Sequence, residues 1–199
     1  MKNVNKRSRF DDVRDTGLSL VEVIVAIAII SIVALASASL TINGVALASS
    51  TERQQAAVTI ANGALETASA QPVASIYSGR KLADVTTAFN ANAAVPGVSA
   101  TNPVGDSTIP LPSTQALPIT PAPITQSGTT YNTTVLIGSC YQPRTGGDCV
   151  KSSATGIPLI RVIAVVRWTA GKTCAAGGCF YSATTLIDPG KDLEWVTNG

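Results

Sequence analysis

A single carboxylate, Glu22, lies at the start of a long apolar segment of the chain. The 29 residues from Val23 to Thr51 carry no charge, and the next charged residue is Glu52. The chemistry that Glu22 offers is that of a negative charge in an apolar setting, and a carboxylate in hydrocarbon costs about 2.5–3.5 kcal/mol. Glu22 therefore needs a specific role.

Catalytic and metal chemistry find little support in the composition. The sequence contains no histidine, and its 12 acidic residues are scattered along the chain. General acid–base catalysis and metal binding both require titratable or ligating groups that converge on one site. We therefore predict that the protein is not an enzyme and that it binds neither a cofactor nor a metal.

Four cysteines provide thiol chemistry, as the pairs Cys140/Cys149 and Cys174/Cys179. Each pair lies in a glycine-containing turn between two predicted strands, which favours two local disulfides. An even number of cysteines in an oxidising compartment indicates disulfide bonds, although the sequence alone allows three connectivities. The alternative is a four-thiolate metal site. The spacing disfavours it, because eight residues separate Cys140 from Cys149, whereas zinc sites have about two to four.

The charges give no sign of a nucleic-acid partner. Residues 1–17 hold five basic and three acidic side chains, which leaves nine of each sign in the rest of the chain. Proteins that bind phosphate backbones show clustered Lys and Arg. Since no basic stripe is visible, we predict no nucleic-acid binding.

The apolar segment that follows Glu22 is long enough to cross a membrane, which takes about 20 residues in a helix. It is also longer than the apolar core of a cleaved signal peptide, about 7–15 residues, so we predict that it stays in the membrane. The basic residues before it place the N-terminus in the cytoplasm and the rest of the chain outside. These basic residues are Lys2, Lys6, Arg7, Arg9 and Arg14.

One helix is predicted from Ser19 to Ala70, with a membrane-spanning half at 18–43 and an amphipathic half at 44–71. In the second half, apolar residues recur at spacings of three and four. Pro72 ends the helix because proline lacks the amide donor and restricts the residue before it.

The region at 72–129 is predicted to connect the helix to a sheet region at 130–199. Seven of the eleven prolines lie between Pro96 and Pro123, so little regular structure is expected there. We interpret this segment as a loop on the domain surface, with a partner-binding segment as the alternative.

Three strands follow, rich in Val, Ile, Thr and aromatic residues. They are predicted at Thr130–Ser139, Leu159–Thr169 and Phe180–Ile187, with a fourth strand at Leu193–Val196 or in the proline-rich region. In the middle strand apolar residues alternate with Arg161 and Arg167, so one face is predicted to pack on the helix and the other to carry charge. The fold class is α+β: a long N-terminal helix packed against a C-terminal antiparallel sheet.

The sequence Gly17-Leu18-Ser19-Leu20-Val21-Glu22 and its apolar continuation resemble the prepilin signal of type IV pilins and type II secretion pseudopilins. The resemblance implies a pilin-like fold and a prepilin peptidase that removes residues 1–17 by cutting between Gly17 and Leu18. It also implies N-methylation of Leu18, where the family most often has phenylalanine. Glu22 would pair with the methylated terminal amine of a neighbouring subunit.

The function that the resemblance implies is that of a minor pilin or pseudopilin in a type IV pilus or a type II secretion-like filament. Its partners would be the prepilin peptidase, other pilin subunits and the cytoplasmic membrane. It would be located in that membrane, with its C-terminal domain outside, and at the pilus or cell surface. The alternatives are a binding or adhesion module presented by the pilus and a signal-anchored membrane protein that does not polymerise.

Overall fold

A computed structural model describes residues 19–153, 155–169, 174 and 178–190. The chain divides into two compact units, one ending at Leu47 and the other starting at Ala48. The predicted cleavage site at Gly17 and Leu18 lies outside the described residues, as does the strand predicted at Leu193–Val196.

Helix α1 extends from Leu20 to Ser69 and confirms the long N-terminal helix. It stops just before Pro72, where a short 3₁₀ turn at Val73–Ser75 begins. Proline cannot donate the hydrogen bond that would continue the helix.

The described part of the second unit contains a five-stranded sheet. The strands are β1 (Asn102–Pro103), β2 (Ile124–Gln126), β3 (Thr129–Gln142), β4 (Ile157–Trp168) and β5 (Cys179–Ile187). The order is β1-β3-β4-β5, β2 also pairs with β3, and every pairing is antiparallel. The three long strands confirm the predicted sheet. The further strand, predicted either in the proline-rich region or at Leu193–Val196, has a counterpart in β1, which lies within Pro96–Pro123, and β2 starts directly after Pro123.

The second half of α1 packs on one face of this sheet. Alanines at positions 56, 57, 61 and 68 are buried against the apolar residues of β3 and β4. At one end they contact Tyr131 and Trp168, whose ring centroids lie 5.9 Å apart. Because alanine has a small side chain, the helix can lie close to the strands.

The opposite face of the sheet carries Arg161 and Arg167, as predicted, but much of it is also buried. A second helix, α2 (Leu82–Ala91), which the sequence analysis missed, places Val85 and Phe89 over β3 and β4. The chain that follows adds further apolar cover, and Arg161 itself is buried. The described sheet therefore lies between α1 on one face and α2 with part of the connecting region on the other.

The two-residue strand β1 is a short piece of regular structure within Pro96–Pro123, where little was predicted. Asn102 and Pro103 pair with Ser139 and Gly138 of β3. A Cβ atom on Gly138 would clash with the Asn102 carbonyl oxygen. Only glycine allows this close approach of the two backbones.

Candidate functional site

The first half of α1 presents an exposed apolar surface. Fifteen large hydrophobic side chains between Leu20 and Leu47 are exposed. Among the described residues, α1 is the helix that is long and apolar enough to cross a membrane, as judged by length and composition. This half therefore requires a bilayer or other apolar surfaces around it.

Three hydroxyl groups in this half donate hydrogen bonds within the helix. Ser31 donates to the carbonyl oxygen of Ile27 at 2.7 Å, and Ser37 donates to that of Val33 at 2.8 Å. Thr41 donates in the same way to the residue four positions earlier, at 2.9 Å. Since a bilayer offers no hydrogen-bonding solvent, these internal bonds suit a membrane segment.

Glu22 lies in the first turn of α1, and its side chain is exposed. A negative charge is favourable there, because the helix dipole places partial positive charge at the N-terminus. In the sequence, Glu22 follows the residue predicted to become the new N-terminus, Leu18, by four positions.

The sequence analysis missed Arg80, which is fully buried. It lies in the unit that starts at Ala48, called the outer unit below. Its Nη1 donates to the carbonyl oxygen of Leu117 at 2.8 Å, and its Nη2 donates to that of Val135 at 2.6 Å. Burial lowers the pKa of Arg80 to about 10, and burial also raises the pKa of the nearby Tyr77 to about 12. The guanidinium thus fixes the proline-rich segment to strand β3.

The backbone around Arg80 is tied to a second point of the connecting region. The Asp106 amide donates to the Arg80 carbonyl oxygen at 2.7 Å, and the Gly79 amide donates to Asp106 Oδ2 at 2.7 Å. The Asp106 carboxylate also accepts hydrogen bonds from Thr108. These bonds are the main reason why its pKa is lowered, and the bond from Gly79 lowers it further. The bonds that Asp106 makes with Gly79 and Arg80 join residues 26 or more positions apart, so nothing in the local sequence pattern indicates them.

Arg161 plays a comparable part on the other face of the sheet. Its Nη1 donates to the Gly97 carbonyl oxygen at 3.0 Å and to Thr101 Oγ1 at 3.2 Å, and its Nη2 donates to the Cys149 carbonyl oxygen at 2.8 Å. Burial lowers its pKa, and Asp148 offsets part of that effect. The side chain holds the turn after α2 and the loop after β3 in place.

The four cysteines form two disulfides, Cys140–Cys149 and Cys174–Cys179, with Cα–Cα distances of 5.6 and 5.0 Å. The described residues contain no group of three or more His, Cys, Asp or Glu side chains that could hold a metal ion. Cys140 and Cys149 are buried, and their loop is closed further by paired hydrogen bonds between Tyr141 and Val150.

Removing the Cys140–Cys149 disulfide by a double serine substitution is expected to destabilise the full chain by about 3 kcal/mol or more. The chain-entropy model gives about 2.7 kcal/mol for a loop of this length, and a loosened Cys149 would also weaken its bond to Arg161. Urea unfolding in detergent measures the loss. The matched control is the double serine variant of Cys174 and Cys179, which is expected to lose about 2 kcal/mol. If the loss for Cys140 and Cys149 exceeds that of the control only by about 0.7 kcal/mol, which loop length accounts for, the coupling to Arg161 is contradicted.

Comparison with known proteins identifies one feature of the chain. Residues 13–38 match the family model of the prokaryotic N-terminal methylation motif, which is the signal of type IV pilins and pseudopilins. The matched range includes Gly17, Leu18 and Glu22. No curated protein and no solved structure shows a significant match to the chain.

Proposed function

We propose that this chain, which carries the N-terminal methylation motif of type IV pilins and pseudopilins, is a minor subunit of a type IV pilus or a type II secretion-like filament. The observation that carries the proposal is the motif at 13–38 on a helix whose first half is apolar, exposed and charged only at Glu22. The motif supports a structural subunit of pilin or pseudopilin type.

Before assembly, the apolar half of α1 would anchor the chain in the cytoplasmic membrane. The methylation motif and the apolar helix fit membrane anchoring. The basic residues of the leader hold the N-terminus in the cytoplasm, so the unit that starts at Ala48 faces outward. Prepilin peptidase then cuts between Gly17 and Leu18 and methylates the Leu18 amine.

During assembly, the apolar half leaves the lipid and enters the filament, where Glu22 finds its partner. The amine of a neighbouring subunit's first residue is a positive charge in the same apolar layer. Pairing the two removes the cost of an isolated charge in a medium of low dielectric constant. Since apolar helices can slide past one another with little change in energy, this pair would also set their register.

A minor role is favoured by the character of the outer unit. A long connecting region with two short strands and many prolines occupies much of it. This region is held by buried apolar side chains that pack on the sheet and by long-range hydrogen bonds, such as those of Arg80, and it forms little of the regular sheet. Such a surface suits a subunit with a specialised position in the filament.

The proposal is tested first by intact-mass measurement and N-terminal sequencing of the protein from cells with and without prepilin peptidase. We expect a terminus at Leu18 that is heavier by one methyl group and that depends on the peptidase. The matched control is Gly17→Leu, which is expected to keep Met1 as its first residue in both strains. A terminus at Met1 in the wild-type chain, or a cut after the apolar segment, would overturn the proposal.

A further inference from the structure

An open apolar groove of about 420 Å³ lies in the outer unit, between α1 and the proline-rich segment. Ile60, Gly63 and Thr67 of α1 line one side, Leu117 and Pro118 line the other, and Val135 of β3 lies at its floor. None of the lining residues is charged.

The few polar groups of the groove offer little to a polar ligand. The Thr67 hydroxyl donates to the Gly63 carbonyl oxygen within the helix at 2.7 Å, and Thr133 is buried. Sites for small molecules combine an apolar lining with placed polar groups that fix the ligand's orientation. This groove is therefore suited to an apolar surface that needs no such fixing.

Packing within the described chain does not require a glycine at position 63. A Cβ atom built on it meets no heavy atom within 4 Å, yet a glycine inside a helix costs about 0.5–1 kcal/mol relative to alanine. Its missing side chain leaves the helix backbone open to the groove. Together with Thr67, four positions later, it gives the small-residue spacing that lets a second helix approach closely.

The opposite wall of the groove is fixed before any partner arrives. Arg80 holds the Leu117 carbonyl, the Val135 amide donates to the Ile119 carbonyl oxygen at 2.8 Å, and the Ile119 amide donates to Gln115 Oε1 at 3.0 Å. A surface that is already ordered loses little conformational entropy on binding.

We propose that this groove receives the apolar N-terminal helix of a neighbouring filament subunit. In this chain, 15 of the 21 exposed large hydrophobic side chains among the described residues lie between Leu20 and Leu47. The stretch from Val23 to Thr51 carries no charge, so it matches a groove whose lining is also uncharged. The chain's own C-terminal residues match it less well, because Lys191, Asp192 and Glu194 fall within nine residues. The inference rests on the proposed function and assigns a specific docking site to it.

The substitution Gly63→Leu tests the groove by filling it. Leucine favours the helix and meets no neighbour at its Cβ, so the thermal unfolding midpoint is expected to stay the same or rise. The amount of the chain in sheared filaments is expected to fall about tenfold or more, as when a binding anchor worth about 1.4 kcal/mol is lost. Asn62→Leu adds the same side chain at the neighbouring exposed position and is expected to assemble normally. Normal assembly of Gly63→Leu would overturn the proposal.

A photocrosslinking residue at position 122, on the proline-rich side of the groove, identifies the occupant directly. In assembled filaments, we expect its crosslinks to join the apolar, uncharged stretch of an N-terminal helix that follows a prepilin cleavage site, in a second copy or in another subunit. Mixing isotopically heavy and light copies separates contacts between copies from contacts within one. Crosslinks only to lipid, to residues 191–199 of the same copy, or to a protein without such a helix would overturn the docking site.

The two proposals fail in different ways. If the chain is never cleaved at Leu18 or never enters filaments, the proposed function fails and the docking site fails with it. If the chain is processed and assembles, but position 122 gives none of the expected crosslinks, only the docking site is wrong.

Discussion

Replacing Glu22 with alanine is expected to reduce incorporation of this chain into filaments by about 30-fold or more. Removing one member of a buried charge pair costs about 2–5 kcal/mol, because the other charge is left unpaired, and each 1.4 kcal/mol corresponds to a factor of ten. The measurement is the ratio of the chain in sheared filaments to the chain in membranes. Cleavage at Leu18 and unfolding of the outer unit are expected to stay unchanged.

Two further variants separate charge pairing from other roles of Glu22. Glu22→Gln keeps the shape and the hydrogen-bonding oxygen but removes the charge, so it is expected to fail nearly as badly as alanine. Glu66→Ala removes an exposed carboxylate from the other half of the same helix and is expected to assemble normally. Normal incorporation of Glu22→Gln would show that the charge is not required, and normal incorporation of Glu22→Ala would exclude the pairing role altogether.

The elements with a strong local pattern were predictable from the sequence. Helix α1 follows from its apolar segment, its three-and-four spacing and Pro72, and the observed Leu20–Ser69 lies within one residue of the predicted ends. The long strands follow from runs of β-branched residues, and β4 starts two residues and ends one residue earlier than predicted. In both cases the information lies within the segment itself.

Helix α2 was missed because its local signal is weak. Its ten residues include Val85, Thr86 and Thr87, and β-branched side chains lose rotamer freedom in a helix. Of these ten residues, only Val85 and Phe89, one turn apart, are buried. The helix is therefore stabilised mainly by packing on the sheet, which the sequence of the segment does not reveal.

The surroundings of Arg161 and the groove depend on contacts between distant parts of the chain. Arginine in an alternating strand indicates a charged face, but whether that face meets water depends on what covers it. Here the cover comes from α2 and from the chain after it, and the Gly97 carbonyl that accepts a bond from Arg161 is 64 positions away in the sequence. The groove likewise requires α1 and the proline-rich segment to lie side by side, so only Gly63, a glycine inside a helix pattern, could have marked it.

Arg80→Met is expected to destabilise the full chain by about 3 kcal/mol. Methionine keeps an unbranched apolar stem, but it leaves the carbonyl groups of Leu117 and Val135 without their charged donor. Hydrogen bonds to charged groups contribute about 1.5–3 kcal/mol each. The buried Nε of Arg80, which has no hydrogen-bond partner in the described structure, offsets part of this loss because its removal costs nothing. Urea unfolding in detergent, followed by tryptophan fluorescence, measures the change.

The matched control is Lys81→Met, which removes a positive charge from the neighbouring, exposed position and is expected to stay within about 0.5 kcal/mol of the wild type. If Arg80 positions the wall of the groove, Arg80→Met will also assemble poorly under conditions in which it remains folded, whereas Lys81→Met will not. A stable Arg80→Met variant would show that other donors satisfy the two carbonyl groups. The proline-rich segment would then be held by its buried side chains, Leu117 and Ile119, and by the backbone bond between Ile119 and Val135.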